Sequence, residues 1–589
     1  MTGLIGTTAG DERLGKLADR SHREDWYELD RVVDGEAAAG VLEHGSRDPD
    51  ANVVWRGDGL IGVVYGVVSN RDRLSLSWGE LFRGVVDDSR NVLARLDGPF
   101  ALACLDADAG EVHLATDVAG SRPIYYAVGD GGDDEAGDGI DFASEVGPLL
   151  TAVDDPSLDP EAVSDLLLAG GVLGERTLVD GVASLPPATH LVFDGTVSTR
   201  RYWAPESAGL APSGYPDRWL GAYRQALGDV AATTGDPSLW FPGDPGSRVA
   251  AAVLAERGCP VETLTCGGPD GGDRESASQV AAYLGLPNRQ VHDDPDRHLV
   301  DAVADAVDAT DAMVNWAAVD GLPYVTDRLH TDADALVFGR PHLDALSWAG
   351  TVCADDSPVD AVAENECVLP PAAVRTLLST DRDPVASIRD LVSASVDGPT
   401  ERTAVDAALQ VRAATEGRSR AVQRSRVGTR TVASRALLDT AARMPACYRL
   451  GTRWLSDSTR GDDPPIDRAV VRRLDSNLAQ IPDRTEGRGR SGSSGLRADG
   501  AGGLDARASD GDAYVRRYAS DDRFRRFVDD LLERVGDRDP LNGDAVAALH
   551  DRLAAGDLAS FTPVAALTGL ELWAGRYLDG ETTATAIEV

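Results

Sequence analysis

Apolar positions change their spacing twice along this chain. Up to about residue 205 they come in short β-branched and aromatic runs: VVWRG (53–57), LIGVVYGVV (60–68), PFALACLD (99–106), EVHLAT (111–116) and PIYYAV (123–128). Gly, Asp and Asn separate these runs, the texture of strands joined by turns. The acidic stretch GDGGDDEAGDG (129–139) between two such runs predicts a solvated hairpin loop. From about residue 216 strand-like and helix-like segments alternate. SLWF (238–241), VETLTCGG (261–268) and ALVFG (335–339) predict strands, and SRVAAAVLAERG (247–258) and RESASQVAAYLG (274–285) predict helices. That alternation predicts a parallel sheet in an α/β layer. Beyond about residue 400 the pattern reads as helical, interrupted by a Gly/Ser-rich stretch at 487–511 that predicts a flexible loop.

Composition narrows what such a chain can do. Its 589 residues carry 97 acidic against 57 basic side chains, a formal charge of −40, and Lys16 is the single lysine. A polyanion repels phosphate backbones and anionic lipid, so neither nucleic acid nor a membrane is expected as a partner. Acid excess with lysine nearly absent predicts a protein kept soluble in concentrated salt, as in a halophilic archaeon, where self-repulsion is screened. No run of about 18 apolar residues suggests a membrane span. MTGLIGTTAGDERLG lacks the basic flank and apolar core of a secretory signal. The six cysteines are scattered without a CxxC pair, which predicts buried thiols in a reducing cytoplasm.

Several motifs carry a family likeness. LDGPFALACLD (96–106), TDVAGSRPIYY (116–126), DFASE (141–145) and LVDGVASLPPATHLVFDG with RYW (201–203) resemble, in order, scaffold motifs of the glutamine-amidotransferase domain of asparagine synthetases. PGDPGS (242–247), DRESASQVAAYLG (273–285), ALVFGRPHLDALSWAG (335–350), VGTRTVASRALLDTAARMP (427–445), IPDRTEGRGR (481–490) and TGLELWAGRYLD (568–579) resemble that family's ATP-pyrophosphatase domain. The resemblance implies an N-terminal amidotransferase-like β-sandwich over 1–205. It implies a doubly wound α/β domain with a helical C-terminal part over 206–589. In such enzymes ATP and Mg²⁺ activate the aspartate carboxylate, which glutamine-derived ammonia then converts to an amide.

The resemblance also names candidate site residues, and many are altered. Thr2 stands where the family has its nucleophilic cysteine; a free N-terminal threonine can still be a nucleophile activated by its own amine. Arg47 in RDPD is placed to hold a substrate carboxylate, and Gly66 is assigned with it to substrate binding, next to Tyr65 at the position of the oxyanion-hole asparagine. Tyr65, Val67 and Trp78 replace an asparagine and two acidic positions there. In the phosphate loop Gly243 and Ser247 match SGGxDS, while Pro242, Asp244 and Gly246 depart from it; the nucleotide set is Gly243, Asp244, Gly246 and Ser247. Pro242 and Pro245 bring no N–H, and Asp244 would face a polyphosphate with a like charge. Asp344 remains of a metal-binding acidic pair, or is simply a surface carboxylate. Arg490 replaces the catalytic lysine and cannot give up a proton near neutral pH. The expectation is a family relative without glutaminase activity, its synthetase reaction lost or altered. The alternative is an active ATP-dependent amide ligase using ammonia or an amine on aspartate or another carboxylate. A homodimer or a protein partner fits the family, with no interface placed by the sequence.

Overall fold

Alternating side chains sort the first part of the chain into layers. The computed structural model describes residues 3–21, 27–43, 52–129, 139–205, 214–266, 272–291, 299–319, 333–339, 356–395, 398, 400–417, 420, 428–432, 434–444, 465–482 and 508–580. Strands β1 (Gly3–Thr7), β2 (Glu28–Asp34), β3 (Ala37–Glu43), β8 (Tyr125–Val128), β9 (Ile140–Ala143) and β10 (Ala183–Ser184) form one antiparallel sheet, ordered β10-β8-β9-β1-β3-β2. Strands β4 (Val53–Gly57), β5 (Leu60–Gly66), β6 (Phe100–Asp106), β7 (Glu111–Thr116), β11 (Thr189–Phe193) and β12 (Val197–Arg201) form a second, ordered β12-β11-β7-β6-β5-β4. Leu4, Val41, Ile61, Val63, Leu114 and Leu191 meet in one core cluster between the sheets. Their strand neighbours point the other way, as a period of two requires. Ile5, Val64 and Leu102 join Leu14, Leu17, Phe82 and Val85 of the flanking helices.

Among the described residues three helices of ten or more residues lie where the spacing of apolar residues predicted only strands and turns: Gly10–Arg20, Trp78–Leu93 and Pro160–Ala169. The second starts on a capping box, with the Ser77 side chain accepting from the Glu80 N–H and the Glu80 carboxylate accepting from the Ser77 N–H. The third is capped by Asp159 ahead of Pro160. These local start signals outweigh a β-rich neighbourhood.

A third sheet is wholly parallel. Its strands β13 (Pro237–Trp240), β14 (Glu262–Cys266), β15 (Asn288–Val291), β16 (Ala335–Phe338) and β17 (Gly428–Thr431) lie in the order β15-β14-β13-β16-β17. The edge strand β17 corrects the reading of everything beyond residue 400 as helical, since pairing with β16 supplies what local propensity does not. Residues 508–511, read as the end of a flexible loop, instead open the helix Ala508–Ser520; the rest of that loop lies outside the described residues. No helix among the described residues is long and apolar enough to cross a membrane.

The antiparallel and parallel parts share one hydrophobic cluster, running from Leu14 and Phe100 through Tyr223 and Val337 to Trp573. Polar ties cross the same boundary. Arg201 donates to both carboxylate oxygens of the fully buried Asp406, at 2.7 and 2.6 Å, and Asp97 accepts the Arg435 N–H at 2.9 Å.

A buried histidine pair couples the second sheet to pH. His113 on β7 and His190 on β11 stack with ring centroids 5.4 Å apart, Nδ1 of the first 3.2 Å from Nε2 of the second. Burial, then the neighbouring His113 and Arg200, pushes His190 down to about 4. Burial also lowers His113, against the pull of Glu111. An unfolded histidine titrates near 6.5. The unfolded chain therefore binds more protons below that pH, and the stability of the neutral pair, full above about 6.5, is lost as pH falls toward 4. For His190 that is on the order of 3 kcal/mol. Denaturant midpoints measured from pH 7 to 4 should fall less steeply for His190→Gln than for the parent; equal slopes would contradict this.

Candidate functional site

The expected oxyanion region is built at the end of β5. Gly66 adopts φ +93°, and its N–H donates to Asn52 Oδ1 at 2.9 Å. The Gly66 N–H is therefore engaged inside the protein. Next to it, the ring of Tyr65 lies 4.8 Å beneath the Arg122 guanidinium, and Arg122 Nη1 donates to the Tyr65 hydroxyl at 3.3 Å. Tyr65 is 2 % exposed, so the side chain at the asparagine position is packed into the core. Val67 N–H continues into the scaffold by donating to the Pro99 carbonyl. Thr2 and Arg47 lie outside the described residues.

The loop after β13 stands where ligands bind in open α/β sheets, outside the strand ends at the point where strand order reverses. Here that point falls between β13 and β16, whose last rings, Trp240 and Phe338, lie 6.4 Å apart. Gly243 takes φ +87°, and a Cβ on it would stand 3.1 Å from Ala277 Cα, so the loop sits directly on the helix Gly272–Leu284. Asp244 is the N-cap of the helix Pro245–Glu256. Its carboxylate accepts the Ser247 N–H at 3.0 Å, while the Ser247 hydroxyl donates to the Asp244 carbonyl at 2.9 Å.

Arg248, one residue beyond the motif, takes up the space below. It is 2 % exposed. Its Nε donates to the Gly243 carbonyl at 2.8 Å and Nη1 to the Ile481 carbonyl at 2.9 Å. Its Nη2 donates to Ser276 Oγ at 2.8 Å and to the Pro482 carbonyl at 3.1 Å. One guanidinium thus joins the loop, the following helix and the segment leading toward residue 490.

A nucleoside triphosphate needs free N–H donors and open space at a helix start. Pro245 supplies no donor, Ser247 has given its N–H to Asp244, and Gly243 lies against Ala277. The described residues of this loop do not fit a polyphosphate, and no step through one follows from them. Among the described residues no three His, Cys, Asp or Glu side chains are grouped to hold a metal ion. Asp344 and Arg490 lie outside the described residues.

Gly243, Asp244, Gly246 and Ser247 are thus brought together in one turn, and Gly66 stands in the antiparallel part. Asn52, Arg122 and Arg248 were not singled out by sequence reasoning. Arg248 left a signal: an arginine at the head of the otherwise apolar face of VAAAVL must be either exposed or fully bonded. Asn52 and Arg122 left none, because their partners are distant in the chain.

Comparison with known families agrees with the scaffold. Residues 82–203 match the family model of the glutamine amidotransferase domain, and no curated protein matches the chain. The match takes in the strands β6 to β12 and begins after Thr2, Arg47 and Gly66. A glutamine amidotransferase domain is present in this chain, and what is recognisable in it is its framework.

Proposed function

We propose that this chain is a divergent relative of the glutamine-dependent asparagine synthetases that no longer hydrolyses glutamine and no longer activates a carboxylate with ATP, and that it serves as a binding or scaffold protein. The parallel sheet, with a helix starting directly after β13, supports an ATP-pyrophosphatase ancestry for the second part. The observation that carries the reading is internal use of the reactive donors: the Gly66 N–H is held by Asn52 and the Ser247 N–H by Asp244. An oxyanion-hole donor is worth about 2.7–4 kcal/mol of barrier, and Tyr65 stands where the family has its oxyanion-hole asparagine. The acidic, lysine-poor composition supports a salt-adapted cytoplasmic protein.

Two assays in concentrated salt test this. ATP–pyrophosphate exchange, run with aspartate and a panel of other carboxylic acids, should stay at background. Exchange with aspartate would restore asparagine synthesis, and exchange with another acid would establish an amide ligase of different specificity. Glutamine hydrolysis should also stay at background in Thr2→Cys, because the nucleophile alone does not free the Gly66 N–H. Hydrolysis by that variant well above the uncatalysed rate would overturn the glutaminase part.

A further inference from the structure

A cavity of about 40 Å³, sharing Arg122 with the Gly66 region, lies where the antiparallel part meets the helices that follow it. That is room for a few waters or one small anion. Arg122, Arg176 and Arg420 line it, with Tyr125, Gln410 and Ser184 adding neutral polar groups. Of the three arginines, Arg176 is already neutralised by Asp159 and Glu161. The other two are not. Arg122 is 4 % exposed and gives its two terminal nitrogens to hydroxyls, Tyr65 at 3.3 Å and Thr429 at 2.8 Å, while its buried Nε has no partner. Arg420 donates to the Ala413 carbonyl at 3.3 Å. Among the described residues neither has a carboxylate partner.

In this chain of charge −40 the buried Arg13 pairs with Asp141, and the part-buried Arg201 and Arg412 pair with Asp406 and Glu366. The buried Arg248 is held instead through all three of its nitrogens by carbonyls and a hydroxyl, whereas Arg122 has two hydroxyls and an unpartnered Nε. A buried guanidinium without a counter-charge carries a large desolvation cost that a bound anion would relieve. Glu145 and Asp311 are felt by Tyr125, but neither lines the cavity.

We infer that this cavity binds a small oxyanion, a carboxylate or a phosphate group, held by the guanidinium groups of Arg122 and Arg420. The planar fork of arginine matches such oxygens better than it matches a spherical halide. Through the Arg122–Thr429 hydrogen bond the anion would tie β17 of the parallel sheet to the segment between β7 and β8 that carries Arg122. Anion binding here needs neither catalytic site to work.

The test is thermal unfolding of the full chain at constant ionic strength, titrating inorganic phosphate, glutamate or acetate against a chloride background. A ligand that binds only the folded state raises Tm in a saturable way. Phosphate or a carboxylate should do so for the parent protein, and which of them does identifies the group. Arg122→Gln should weaken the apparent affinity about tenfold or more. Should that variant fail to fold, Arg420→Gln serves the same comparison, and calorimetric titration of the parent gives the affinity directly. No saturable rise with any oxyanion, an equal rise in parent and variants, or saturation by chloride alone would overturn the inference.

Discussion

Arg248→Ala should lower the stability of the parallel-sheet part by about 3–5 kcal/mol. The guanidinium fills a site that is 2 % exposed and serves four acceptors, the carbonyls of Gly243, Ile481 and Pro482 and the Ser276 hydroxyl oxygen. Alanine removes the Arg248 donors from the Gly243 and Ile481 carbonyls, leaves the Pro482 carbonyl only the Ser276 hydroxyl, and opens a cavity in the same place. Denaturant titration followed by tryptophan fluorescence measures the loss, and hydrogen exchange should show protection falling over residues 465–482. Arg248→Lys should recover only part of it, because an ammonium cannot span acceptors that a planar fork reaches together. A loss below about 1 kcal/mol for the alanine variant would mean that the clamp contributes little beyond an ordinary hydrogen bond.

Gly66→Ala should be at least as damaging to the antiparallel part. At φ +93° any side chain is strained, and here a Cβ would also stand 2.2 Å from the Pro99 carbonyl oxygen and 2.9 Å from Arg122 Nε. Backbone strain alone costs about 1–3 kcal/mol. The clash with a strand-end carbonyl forces β5 and β6 apart as well, so the expected outcome is little soluble protein or a Tm far below the parent. Gly110→Ala separates the two causes. Gly110 has φ +72° with nothing within 4 Å of the added carbon, so it meets the conformational cost without the clash. Similar Tm losses in the two variants would refute the steric account.

Both residues belong to places where a family-like motif survives in outline while its donors are used for holding the protein together. Asp244 shows how this works at one position. In the sequence it reads as an acid that would repel a polyphosphate. In the fold the same carboxylate caps the helix that follows it, which stabilises the helix start and satisfies Ser247. Tyr65 is similar: a substitution that removes a candidate donor also supplies a ring beneath Arg122 and fills the sheet.

Much of the architecture was legible beforehand because its signals are local. Strand runs such as PFALACLD and EVHLAT carry their own β-branched and aromatic residues, and the helix after residue 244 carries both its cap and its alanines. The strands β15 and β17 were not legible. NRQV and GTRT are short and polar, and they become strands only because a neighbouring strand offers a ladder to join. The helix Trp78–Leu93 was hidden for a related reason, since its capping box was present but stood among strands.

The acidic, lysine-poor composition, the change from strand-like to alternating texture and the altered phosphate loop follow from the order of residues alone, because charge, side-chain period and lost N–H donors are properties of the chain. What those alterations do was decided by tertiary structure. Asn52 reaches Gly66 across 14 residues, Arg248 reaches Ile481 across 233, and Arg122 reaches Thr429 across 307. A hydrogen bond is set by a few tenths of an ångström and by direction, and packing brings such distant atoms to that distance. No local pattern of residues encodes that meeting.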